Sequence, residues 1–201
     1  MFMKRMTCGI QMKDLYIGSI VNVHSRQLKL VEYGDIFTRN NFENKAERTF
    51  ALIKPDCYTQ TGKIIDAIYQ NGFTISKLKM SKFTRPQQTD EFYQEHKGKP
   101  FFADLSAFMQ SDVVTGMELV AENAVQNFRD LLGPTDSKSA PRNTLRGIFG
   151  TDGMRNAVHA SGSASDYNRE SSLYFNKSFG TTAAFNNCTC CIIKPHVVAS
   201  G

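Results

Sequence analysis

Hydrophobic and polar positions divide the chain into three stretches. From 15 to 37 the apolar residues alternate in short pieces, Ser19-Ile-Val-Asn-Val23 and Gln27-Leu-Lys-Leu-Val31. That pattern predicts two strands joined by a short loop, with Tyr33-Gly-Asp35 as a turn signal. A hairpin of this size cannot form a core alone. Residues 38–47, Thr-Arg-Asn-Asn-Phe-Glu-Asn-Lys-Ala-Glu, are polar and read as a linker.

From 48 to 177 the periods switch between strand and helix. Thr49-Phe-Ala-Leu-Ile53 is a short buried strand, stopped at Lys54-Pro55 because proline removes a ladder donor. Ile64, Ile65, Ala67 and Ile68 have helical spacing over 62–70, and Asn71-Gly72 ends that helix. Residues 73–80 alternate as a half-buried strand. Helices are predicted over 86–96, with Pro86 near N1, over 101–109, and over 123–132, where Gly133-Pro134 stops the last one. Residues 113–120 read as a strand, 134–143 as a loop, and Leu173-Tyr-Phe175 as a last short strand. With one helix pair counted as an insertion, the order predicts an α+β, ferredoxin-like βαββαβ fold with an antiparallel four-stranded sheet. Such a fold hosts many functions and cannot supply one by itself.

The third stretch contains a repeat. Thr49-Phe-Ala-Leu-Ile-Lys-Pro-Asp56 is echoed 140 residues later by Thr189-Cys-Cys-Ile-Ile-Lys-Pro-His196, an offset of a domain length rather than a solenoid period. At about 150 residues per domain, a chain of 201 residues amounts to roughly 1.3 domains. The expected organisation is a remnant of a β-rich domain plus linker over 1–47, a complete domain over 48–180, and over 181–201 a linker and the first strand of a second, truncated domain.

Composition narrows the classes. The chain is 41% hydrophobic and 21% charged, which argues against global disorder. No apolar run approaches the roughly 20 residues of a membrane span, and residues 1–12 have no apolar h-region of a signal peptide. The formal charge of +5 is spread evenly: residues 1–47 carry 7 basic and 5 acidic residues, residues 48–201 carry 17 and 14. No basic stripe points to specific nucleic acid recognition, and an anionic small molecule suits the charge equally well. The five cysteines include Cys188, Cys190 and Cys191, without paired C-x-x-C spacing, so buried strand thiols in a reducing compartment are expected over a disulfide framework or metal site.

The candidate chemistry is phosphate chemistry. Lys54 follows a buried strand and so meets whatever lies at the strand's end. Arg129, Thr135, Arg146 and Asn156 supply guanidinium forks, a hydroxyl and an amide, the groups that phosphate and sugar recognition favour. No P-loop and no Gly-rich dinucleotide fingerprint is present. Among the histidines, His159 lies between small residues in Arg155-Asn-Ala-Val-His-Ala-Ser161, with Glu170 further on. An imidazole can attack phosphorus and divide a transfer into two steps, and a carboxylate can hold its tautomer.

Five ordered segments together resemble the nucleoside diphosphate kinases: Arg48-Thr-Phe-Ala-Leu-Ile-Lys-Pro-Asp56, Lys99-Pro-Phe-Phe102, Leu131-Leu-Gly-Pro-Thr135, Asn143-Thr-Leu-Arg-Gly147 and Arg155-Asn-Ala-Val-His159. The resemblance implies that His159 is a phosphohistidine nucleophile oriented by Glu170, with Tyr93 beside it and Lys54. It implies that Lys54, Arg129, Thr135 and Arg146 face the phosphates, that Asn156 contacts the ribose, and that Phe101 and Leu105 flank the base. Magnesium would arrive with the ATP or nucleoside diphosphate, without metal ligands from the chain. The family's Gly-Ser-Asp or Gly-Pro-Asp after the histidine reads Ala160-Ser161-Gly162 here, which removes an aspartate from the site. Asp14-Leu-Tyr-Ile-Gly18, residues 21–28 and 187–196 further resemble a tandem-domain branch of the family. That branch implies tubulin and axonemal microtubule partners in cilia or flagella, or a γ-tubulin complex, with a location in the cytoplasm and cytoskeleton and no membrane.

Overall fold

The computed structural model describes residues 9–11, 14–23, 25–42, 47–176, 179–184 and 186–192. Strands β1 (Ile20–Val23) and β2 (Arg26–Lys29) pair antiparallel, Val21 opposite Leu28, as the early alternation predicts. The polar stretch read as a linker is instead partly helical. Helix α1 spans Ile36–Phe42, and Asp35 Oδ1 accepts the Thr38 amide at 2.6 Å at its start. A side-chain acceptor before a helix satisfies an amide that has no intrahelical partner, and that local bond outweighs the low apolar content of the segment.

The main unit has strands β3 (Glu47–Ile53), β4 (Thr74–Lys82), β5 (Val113–Ala121) and β6 (Val158–Ala160). Its helices are α2 (Thr61–Gln70), α3 (Pro86–Phe92), α4 (Phe102–Ser111), α5 (Ala124–Leu132), α6 (Leu145–Phe149) and α7 (Ala164–Phe175). The sheet order is β4-β5-β3-β6, antiparallel at every pairing. Helices α2 and α5 complete a βαββαβ unit, with α3 and α4 inserted between β4 and β5.

The central strand β3 is buried over five consecutive residues, because helices cover both sheet faces. Ala51 and Ile53 enter a core with Ile64, Ile68, Phe128 and Leu132 of α2 and α5. Phe50 and Leu52 enter a second core with Phe92, Met109 and Tyr174 of α3, α4 and α7. The edge strand β4 carries Lys77, Lys79 and Lys82, charges that disfavour pairing with another sheet.

Leu173-Tyr-Phe175 is not a strand. It is the last turn of α7, and Tyr174 lies against Gly116 of β5, where any Cβ would come within 2.2 Å of the ring. The fourth strand is β6, with His159 at its centre. Cys57 is buried, but Cys188, Cys190 and Cys191 are exposed and in no strand, so their expected burial does not hold. Residues 186–192 contain no strand, and Lys194 and His196 of the repeat lie outside the described residues.

Candidate functional site

Cross-strand pairing sets the direction of His159. It lies opposite Leu52, so both side chains share the sheet face covered by α3 and α7. The imidazole is edge-on to Phe92 and to Tyr93, with ring centroids 5.3 Å away in each case. Its Nε2 lies 3.0 Å from Oε2 of buried Glu170. That approach is off the line of a hydrogen bond, so Nε2 is buried without an aligned partner. Such contacts commonly align only when a ligand is bound.

Glu170 is delivered by α7. Ser163 caps that helix by accepting the Asp166 amide at 3.1 Å, and Glu170 follows one turn later on the sheet-facing side. Ser161 Oγ donates to Glu170 Oε2 at 2.7 Å. The hydroxyl after the histidine therefore still holds the carboxylate, although the aspartate of the family pattern is absent. At Gly162 an added Cβ would lie 3.1 Å from Asp166 Oδ2 and 3.3 Å from Arg129 Nη1. A carboxylate one turn along α7 thus comes close to the space that an aspartate side chain would enter.

The segment before His159 is held tightly. Ala157 has φ of 67°, a left-handed conformation that costs a non-glycine residue about 1 kcal/mol. Its amide donates to Asp56 Oδ2 at 3.0 Å, and its carbonyl accepts the Lys54 amide at 2.8 Å. These bonds tie the Lys54-Pro-Asp turn to the histidine strand. Burial pushes the Asp56 carboxyl up, against the bonds from Ala157 and the charge of Lys54.

The cationic groups converge on the same cleft. Lys54 is buried, and its Nζ donates to the Met154 carbonyl at 3.1 Å. Burial, reinforced by Arg146, lowers its pKa to about 8. Arg146, on α6, donates to the carbonyls of Gly133 and Val158 at 2.9 and 3.2 Å, while its Nε is buried without a partner. Burial and the neighbouring Arg129 bring it down to about 10. Asn156 donates to the carbonyls of Thr135 and Gly153, at 2.9 and 3.1 Å, and its Oδ1 is unpartnered. Burial, with nearby Glu170, raises the Tyr93 phenol, so it stays neutral.

Two glycines make this convergence sterically feasible. Gly133 has φ of 79° and leaves only 2.7 Å between a would-be Cβ and Thr144 Oγ1. At Gly147 a Cβ would lie 2.0 Å from the Pro141 carbonyl. Thr144 Oγ1 also accepts the Gly147 amide at 3.2 Å, which starts α6 beside the cleft.

Lys54, Tyr93, Phe101, Leu105, Arg129, Thr135, Arg146, Asn156 and His159 all line one cleft of about 800 Å³. Glu170 lies behind His159 rather than on the wall. Phe101, 45% exposed, and buried Leu105 form an apolar lip at the start of α4. The cleft also contains residues that the sequence reading passed over. His96 stacks on Tyr93, centroids 6.0 Å apart and planes 15° from parallel. Burial and Lys99, whose Nζ lies 3.1 Å from His96 Nδ1, lower its pKa. Its position three residues after Tyr93 was the available signal. Glu95 and Asp166 line the wall as well.

Among the described residues, no group of three His, Cys, Asp or Glu side chains forms a metal cage. Three cations in the cleft would repel a free divalent ion, whereas an ion carried on phosphate oxygens fits them.

Comparison with known proteins bears on both the fold and the cleft. The sequence profile of the family described as Nucleoside diphosphate kinase matches residues 47–179. Nucleoside diphosphate kinase homolog 7 of Rattus norvegicus is 43% identical over 96% of this chain and 50% of its own length. The Mus musculus homolog 7 is 42% identical over the same shares. The chain thus spans about half the length of these curated relatives. A solved nucleoside diphosphate kinase of Aquifex aeolicus superposes with a TM-score of 0.63 at 41% identity, covering 65% of this chain and 96% of that one. A Halobacterium salinarum nucleoside diphosphate kinase in complex with CDP gives a TM-score of 0.61 at 30% identity, covering 69% and 94%.

Proposed function

The chain belongs to the nucleoside diphosphate kinase family, and from that membership we propose that its cleft moves the γ-phosphate of a nucleoside triphosphate to a nucleoside diphosphate through His159. The observation that carries the proposal is the convergence of buried Lys54 and half-buried Arg146 on the cleft that His159 lines. Poorly solvated cations in one pocket repel each other and are tolerated best where an anion compensates them.

The chemistry follows from the ring's surroundings. Nε2 faces Glu170, which favours the tautomer with its proton there and leaves the lone pair on Nδ1. Nδ1 attacks the γ-phosphorus, an N–P bond forms, and the bond from phosphorus to the bridging oxygen breaks. The nucleoside diphosphate leaves with that electron pair. A second nucleoside diphosphate then takes the phosphoryl group by the reverse path, restoring neutral His159. Glu170 stabilises the positive charge that develops on the imidazole.

Lys54 and Arg146 meet the charge on the transferring group, which is where such reactions gain most of their rate. Arg129 and Thr135 bind the remaining phosphates, and Asn156 Oδ1 accepts from a ribose hydroxyl. Phe101 and Leu105 flank the base, which stacks there without having its edge read. Tyr93, held neutral, packs the imidazole and borders Lys54. Magnesium carried on the nucleotide would neutralise phosphate charge, and Glu95 and Asp166 are the carboxylates of the cleft wall that would attract it.

The test is labelling. Incubation with γ-labelled ATP is expected to give an acid-labile, alkali-stable label on the wild type and none on His159→Ala. An unlabelled, folded wild type would sink the enzymatic reading.

A second reading is a structural role among ciliary or flagellar axonemal microtubules, or in a γ-tubulin complex. It is supported by the exposed apolar residues Val31, Ile36 and Phe37 outside the kinase-like unit. Co-sedimentation with microtubules, unchanged in His159→Ala, is the expected result; no sedimentation of either protein counts against it. The two readings are compatible, since one domain can be both enzyme and building block.

A further inference from the structure

Arg169 precedes Glu170 on α7 and has no part in the steps above. Its guanidinium faces two ways. Nη1 donates to the carbonyls of Phe92 and Glu91, at 2.8 and 3.3 Å, at the C-terminal end of α3. Nη2 lies 3.4 Å from Glu170 Oε1, with Asp166 Oδ1 and Glu95 Oε2 at 3.5 and 3.6 Å. A planar fork can serve two directions in this way because its donors are fixed relative to one another.

The two ends of this bridge are the two walls around His159. The end of α3 carries Phe92 and Tyr93, both edge-on to the imidazole. Helix α7 carries Glu170, whose Oε2 meets Ser161 and His159. With Oε1 engaged by Arg169 and Oε2 by Ser161, the carboxylate cannot swing about its own axis without losing a bond. The carbonyls at the end of α3 have no intrahelical partner, and Arg169 satisfies them.

We propose that Arg169 is a positioning residue for the phosphoryl transfer: it ties Glu170 to the end of α3 and so fixes the orientation and tautomer of His159. The proposal rests on the phosphohistidine reading above. Arg169 itself does not line the cleft and meets its wall only through Asp166 and Glu95, at 3.5 and 3.6 Å, so its hydrogen bonds, to Glu170 and the α3 carbonyls, act on the histidine rather than on the nucleotide. Its effect belongs to the chemical step. A misdirected imidazole loses the aligned approach to phosphorus, and small misplacements of reacting groups are costly in rate.

The experiment compares wild type, Arg169→Gln and Arg169→Lys, with thermal melts to establish folding. It measures ADP affinity, single-turnover phosphorylation by γ-labelled ATP, and the tautomer of His159 by 15N NMR. Arg169→Gln is expected to slow phosphorylation about tenfold or more while ADP affinity stays within about threefold. The ring should pass from a dominant Nε2–H form to a mixture. Arg169→Lys should recover part of the rate, because one ammonium reaches Glu170 or the α3 carbonyls but not both. An unchanged tautomer, parallel losses in affinity and rate, or full recovery with lysine would overturn the proposal. If wild type takes up no phosphate, the phosphotransfer reading fails by itself, and the tautomer measurement still decides the role of Arg169.

Discussion

Lys54 is held where its charge is poorly solvated, and a phosphate would relieve it. Burial, then Arg146, brings its pKa from 10.5 to about 8. The folded state therefore binds the proton more weakly than the unfolded one. The stability cost is full below about 8 and fades as pH rises toward 10.5, so this residue makes stability rise with pH in that window. Nucleotide binding runs the other way, because phosphates favour the protonated amine. Affinity for ADP is expected to fall about tenfold for each pH unit above the free pKa until the bound pKa is passed, with proton uptake on binding. Calorimetry in buffers of different ionisation enthalpy measures that uptake; its absence at alkaline pH would show that Lys54 does not meet phosphate. The sequence made Lys54 legible because it follows a buried strand, Arg146 because it stands beside Gly147, and His159 because it lies between small residues with Glu170 further on. It did not reveal His96, Glu95 or Asp166, whose place in the cleft depends on how α3 and α7 pack. Nor did it reveal that Ser161 keeps its bond to Glu170 with Gly162 beside it.

Helix α7 meets the sheet through a second buried carboxylate. Glu118 lies beneath the helix on β5 and accepts from Tyr167 and Lys77 at 2.8 Å each and from Ser171 at 3.4 Å. Arg48 and Ser76 complete its shell. Burial alone would raise its pKa, but the bonds from Lys77, Ser76 and Tyr167, with the charge of Arg48, hold it at about 2. A folded pKa below the unfolded value stabilises the protein above about 4.5 and loses that contribution as pH falls toward 2. Arg48 and Lys77 are half exposed, so after screening the contribution is about 1–2 kcal/mol. Glu118→Gln should lower the melting temperature near neutral pH and flatten its fall in acid. A mutant with the wild-type acid profile would show that the network contributes no linkage.

The same helix explains where the sequence reading of elements failed. Leu173-Tyr-Phe175 is a three-residue apolar run that cannot by itself distinguish strand from helix. Tyr174 settles the matter by packing on Gly116 and donating to the carbonyls of Lys79 and Val114 at 2.9 and 3.2 Å. Strand β6 was hidden for the opposite reason: three residues are too few to show alternation. Longer periodic elements, α2 and β5 among them, were placed within a residue or two.

At the scale of the molecule, the sheet separates two cores, and the cleft opens at one end of it, where β3 and β6 meet α3, α6 and α7. Charge comes from the loop after β3 and from helices α5 and α6, the nucleophile from β6, and the orienting carboxylate from α7. The first five elements of the βαββαβ order were legible because helices and strands alternate cleanly between 49 and 132, whereas the last strand was expected at 173–175 and lies at β6. The hairpin of β1 and β2 was legible too, whereas α1 depends on the Asp35 bond that periodicity does not register. Ile20, Val31, Ile36 and Phe37 are 62–79% exposed in that N-terminal region, in contrast to the covered faces of the main sheet.

The central claim is a complete phosphoryl relay through His159, and a two-stage chase tests it most directly. The chain is first phosphorylated with γ-labelled ATP and freed of nucleotide, then mixed with an unlabelled nucleoside diphosphate other than ADP. The account predicts that label leaves the protein and appears as the matching labelled triphosphate, with neither stage seen in His159→Ala. A folded wild-type chain that takes no label, or holds it without passing it on, would contradict it.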